Sequence, residues 1–197
     1  MSDAKYLLCF AAVTVIKLIQ VLYSIYMVLW IAHFIELGVL ADAEEAKTIY
    51  KNVLTIGAIS AIIAIPIIGK LADSVPYNCF FPLSFFIRGI LIIQFNDIAD
   101  PSTVYSMVIS VAVILASTIQ FIVVNSFFMR NLPNGIRGAM LGVYNFFANT
   151  GLTIFALVGG IMFDKWGATS PFTFISMLDF AVCALAVILF CCGFIRS

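Results

Sequence analysis

The chain has 197 residues, of which 63% are hydrophobic and 10% charged, against about 45–50% and about 25% in soluble domains. Leu, Ile, Val and Phe recur in long runs rather than narrow stripes, which excludes an ordinary water-soluble core and makes lipid the expected solvent. Ten basic and ten acidic side chains cancel, so no basic surface points to nucleic acid.

The first apolar span covers residues 6–34. It follows the polar N-terminus without a small-residue cleavage pattern, so it is expected to be retained rather than removed as a signal peptide. Lys17, Gln20 and Ser24 recur at spacings of three and four, which puts them on one helix face, with Tyr23 and Met27 nearby. Two uses fit Lys17. A polar face meets protein or water rather than lipid, or the lysine snorkels to the near interface. The acidic connection 36–47 follows. At its start His33 and Glu36 stand one turn apart, as a solvated helix end or, alternatively, a proton-handling pair.

Span two, 48–71, contains Pro66, a kink that membrane helices tolerate. It ends in Gly69, Lys70, Leu71, Ala72 and Asp73. Span three, 79–95, carries Arg88 at mid-depth, where an arginine needs a partner or water. Span four, 103–129, lines up Ser106, Ser110, Ser117 and Gln120 along one side. Small hydroxyls at that spacing are helix-packing residues, while Gln120 is the candidate for lining a polar cavity.

Span five, 138–163, lies between two turn-rich polar loops and carries no charge. Gly142, Asn145, Asn149 and Thr153 form its polar stripe, and asparagines on one stripe are expected to face protein or water. Span six, 171–194, carries Asp179 in its first third. Arg88 and Asp179 are the opposite deep charges without a local partner, and a buried structural ion pair between them is expected.

Six spans place both termini on one side. That side holds Lys5, Lys70, Arg130, Arg137 and Arg196, while Lys47, Lys51 and Lys165 lie on the other with most of the acids. The positive-inside rule then makes the terminal side cytoplasmic, or the equivalent side of an organelle.

The five cysteines lack CxxC spacing and the chain has one histidine, so neither a metal site nor a disulfide framework is expected. They read as small hydrophobes, with palmitoylation of Cys191 and Cys192 as the alternative. No cofactor is implied, since Gly69 and Lys70 lack the upstream glycine of a nucleotide-binding loop. With no HExxH and no paired intramembrane aspartates, an enzyme is not expected.

The chain also resembles itself. Gly69-x-x-x-Asp73 ends span two and Gly160-x-x-x-Asp164 ends span five, 91 residues later, each followed by a Pro/Phe-rich start to the next span. Two three-span repeats of inverted orientation, 1–100 and 101–197 within one bundle, are the building plan of many secondary transporters.

These residues carry a family resemblance. The stretch from Gly159 and Gly160 through Asp164, Lys165, Trp166 and Gly167 to Pro171 and Phe172 resembles the end of the eleventh helix and the following outer loop in the major facilitator superfamily. Gly69 to Asp73 resembles the G-x-x-x-D core of that family's loop motif, although Ser74, Val75, Pro76, Tyr77 and Asn78 stand where the family continues with basic residues and a glycine. The likeness covers the whole chain as the C-terminal six of twelve helices.

The resemblance implies that spans one and four face the transport path, two and five the seam between halves, and three and six the outer flank. Lys17, Gln20, Ser24 and Gln120 would then face the path, and Asn145 and Asn149 the path or the seam. Asp73 would cap a helix end in the opposite half, which here must be a second six-helix bundle, either another copy or a separate chain. The expected function is secondary transport of a small polar solute. The alternative is a structural subunit of a larger membrane assembly, with the span-five stripe as helix glue.

Overall fold

The computed structural model of the chain describes residues 2–193; Arg196 and the expected end of span six at Phe194 lie outside the described residues. Among these the chain folds into seven α-helices, α1 (Ser2–Val21), α2 (Met27–Glu36), α3 (Ala43–Ser74), α4 (Tyr77–Ile93), α5 (Val104–Arg130), α6 (Arg137–Trp166) and α7 (Ser170–Cys191). A π-helical turn, Leu22–Tyr26, joins α1 and α2 into one continuous span. Six helical stretches are long and apolar enough to cross a membrane, and no strand occurs among the described residues. The chain is an all-α, multi-pass membrane protein.

Helix ends follow capping chemistry rather than the limits of the apolar runs. α3 starts at Ala43, ahead of the hydrophobic segment, because the Asp42 carboxylate accepts from Glu45 N at 2.8 Å while the Glu45 carboxylate accepts from Ala41 N at 2.8 Å. The first bond satisfies a helix amide that would otherwise lack a partner, and the second ties the entering chain to the first turn. Glu44 and Glu45 in the first turn also suit the positive end of the helix dipole. Much of the acidic connection is therefore a helix start. Beyond it, α3 runs unbroken through Pro66.

The most extensive helix contacts pair α1 with α6, α3 with α5, and α4 with α7; α1 also meets α5 and α7, and α4 meets α5. α3 and α6 leave most of their length exposed at the rim. Close approach of α6 to the first span depends on glycine. A Cβ on Gly159 would sit 2.6 Å from the Tyr26 ring, whose hydroxyl donates to Ala156 O at 2.9 Å and more weakly to Phe155 O at 3.3 Å.

The core divides into two apolar clusters. One gathers Leu8, Phe81, Phe85, Phe128 and Ala186, with Phe190 packed against it, so the two described chain ends lie at the same end of the bundle. The other gathers Trp30, Phe34, Phe95, Phe155 and Phe172 at the opposite end. Between them sits a layer of buried polar side chains.

Candidate functional site

That layer is built on Arg88 and Asp179, both fully buried. Arg88 Nε donates to Asp179 Oδ2 at 2.8 Å and Nη2 to Oδ1 at 2.5 Å, a two-pronged contact that matches the planar guanidinium to the carboxylate. Gln120, also fully buried, donates its amide to Asp179 Oδ1 at 3.3 Å, and Arg88 Nη2 reaches Val15 O at 3.4 Å. Four spans therefore meet at one polar knot. Taking two charges out of water is costly, and the Gln120 amide donor and the Val15 carbonyl acceptor offset part of that cost. Arg88 Nη1 and Gln120 Oε1 are left without a partner.

A separate cleft of about 490 Å³ opens between span one, α3 and α5. Span one touches α3 along α2 and leaves it on the other side of the π-helical turn, so the two helices bound a wedge with α5 at its back. Lys17, Gln20, Tyr23 and Ser24 line the wedge from span one, and Tyr50 and Leu54 from α3. Ser117, Thr118, Ile114 and Phe121 line it from α5. Short π-helical turns inside α-helices occur often at functional sites, because the extra residue re-aims side chains. Here that turn contains Tyr23 and Ser24.

The hydrogen-bond inventory of the cleft is uneven. Tyr23 donates to Ser110 O at 2.8 Å, Tyr50 to Tyr23 O at 3.1 Å, and Ser24 to Gln20 O at 2.7 Å. Ser117 donates to Val113 O at 2.7 Å and Thr118 to Ile114 O at 2.9 Å. Each of these hydroxyl protons is committed to a backbone carbonyl, leaving only oxygen lone pairs for a guest. Lys17 is half-buried and Gln20 exposed, and neither side chain has a hydrogen-bond or ion-pair partner among the described residues. They are the cleft's free donors.

Comparison with protein-family models, with curated proteins and with solved structures returned no match.

The solute-path candidates therefore separate into three places. Lys17, Gln20 and Ser24 share the cleft. Gln120 belongs to the buried knot and does not line the cleft, because a carboxylate wholly removed from water recruits the nearest amide donor. Asn145 and Asn149 lie on an exposed face of α6, where Asn149, Thr150 and Thr153 border a shallow depression of about 360 Å³. Gly69 and Asp73 fall near the end of α3, and Gly160 and Asp164 near the end of α6, where Asp164 is exposed. His33 Nδ1 and Glu36 Oε2 stand 3.4 Å apart at an exposed helix end.

Tyr50 was not among the sequence-derived candidates; its hydroxyl joins α3 to the π-helical turn at the wedge. Its position just inside span two was the available signal, since interfacial tyrosines present a polar tip at an apolar boundary. The turn itself has no such signal in the run Leu22–Tyr26.

Proposed function

We propose that the chain is one bundle of a major-facilitator-type secondary transporter, with the cleft as its half of the solute path. The observation that carries this is an unpartnered lysine and glutamine, one turn apart, inside a wedge bounded by three membrane spans. Such a charge is costly in lipid and is retained where it meets a solute or water.

The most extensive helix contacts fit an inverted-repeat arrangement. Exchanging the first three spans for the last three turns the α1–α6 contact into the α3–α5 contact and the α1–α7 contact into the α4–α5 contact, and returns α4–α7 to itself. Arg88 and Asp179 are 91 positions apart, the same offset that relates Gly69 to Gly160 and Asp73 to Asp164. The ion pair would then join equivalent positions of two repeats on their pseudo-twofold axis. In transporters of that plan, two bundles rock about a site near the midplane, so a second bundle must complete the path.

Purification in mild detergent tests the partner. Recovery as a dimer or with another six-span bundle is the expected result. The exposed stripe Asn145, Asn149 and Thr153 favours a second reading, a scaffold subunit held by that face, and stoichiometric recovery with subunits of unrelated architecture would replace transport by it.

A further inference from the structure

Resting on the transport reading, we infer that the solute is a small organic monoanion with an apolar body, held head-first by Lys17 and Gln20. The cleft's lining contains one charged side chain, Lys17, and no acid to balance it. An ammonium held partly out of water without a counter-charge is an unfilled electrostatic demand, and an anionic head group meets it. Gln20 stands one turn along the same helix and adds a second free donor on the same side.

The remaining lining selects the body. Ile114, Leu54 and Phe121 offer apolar contact. The hydroxyls of Tyr23, Tyr50, Ser117 and Thr118 cannot donate to a guest without breaking bonds to backbone carbonyls. A sugar or other polyol needs many donors and acceptors at once, and desolvating its hydroxyls here would leave them poorly paired. A cation would meet Lys17 with like charge. A carboxylate or sulfonate on a short aliphatic or aromatic body uses each feature of the cleft, whose size is within the usual range of small-molecule sites.

The test compares three probes of equal chain length on the full chain in lipid nanodiscs at about pH 8, where a carboxylate is ionised. Hexanoate is expected to bind saturably, hexan-1-ol about tenfold or more weakly, on the scale of one charge-assisted hydrogen bond, and hexylammonium more weakly still. Lys17→Ala and Lys17→Gln should lower hexanoate binding to the level of hexan-1-ol, whereas Lys17→Arg should keep most of it. Unchanged hexan-1-ol binding by the variants shows that the cleft is intact. Equal or tighter binding of hexylammonium, no saturable hexanoate binding, or a hexanoate preference that survives both neutral variants overturns the assignment. Uptake into native membrane vesicles separates this from the transport reading. Lys17-dependent binding without uptake removes transport and keeps the ligand class; uptake of a neutral polyol that competes with hexanoate for the cleft removes the class and keeps transport.

Discussion

Arg88 and Lys17 show two fates of a positive charge inside apolar spans. Arg88 is fully buried and tied to Asp179, Gln120 and Val15 O, so removing either charge strands the other. Arg88→Ala should destabilise the bundle by about 3–5 kcal/mol, while replacing both partners by apolar residues, Arg88→Met with Asp179→Leu, should recover most of that loss. Thermal unfolding in detergent checks both values. Lys17 has no partner to strand, so Lys17→Ala should change stability by no more than about 0.5 kcal/mol while abolishing uptake. Equal loss of stability in the two single variants would show that Lys17 also belongs to the packed core. The sequence made the contact between Arg88 and Asp179 legible because each was a deep charge with no local counterpart. Gln120 was legible as a polar residue on a helix face, but not which neighbour that face would meet. Ser117, one turn earlier, borders the cleft, whereas Gln120 turns to the carboxylate of α7.

At the scale of the element, the first span is held by its π-helical turn and by glycines opposite it. The widened turn lets Tyr23 reach Ser110 O on α5 and Tyr26 reach the carbonyls of α6. Gly159→Leu would drive a side chain into the Tyr26 ring, with an overpacking cost of about 1–3 kcal/mol in addition to the hydrogen bonds lost. Tyr26→Phe in the same background should then cost little further, and double-mutant comparison of unfolding temperatures checks this coupling. The six spans were readable because long uncharged runs of this length have one economical use. Their ends were less so: α3 begins five residues before the apolar run because the Asp42 carboxylate accepts from the free Glu45 amide of its first turn, while the Glu45 carboxylate accepts from Ala41 N just ahead of the helix. The signal for that start was present as an aspartate followed three residues later by a glutamate. The π-helical turn has no comparable marker in the run Leu22–Tyr26.

At the scale of the whole molecule, the proposed repeat makes positions 88 and 179 equivalent by a common offset. Exchanging their charges, Arg88→Asp with Asp179→Arg, should therefore be tolerated better than either single change, and unfolding temperature in detergent distinguishes the outcomes. A double variant no more stable than the singles would show that Gln120 and Val15 O fix the polarity of the pair. On the transport reading, the wedge beside Lys17 is an aqueous half-path rather than a lipid-filled or permanently sealed groove. Its most direct test is Gln20→Cys in a background freed of the five native cysteines, labelled with a small charged thiol reagent in right-side-out and inside-out native vesicles. A transporter bundle predicts labelling from both sides as the path alternates, and no comparable labelling of Ile62→Cys on the exposed apolar face of α3. Absence of labelling at position 20 from either side would contradict an alternating path.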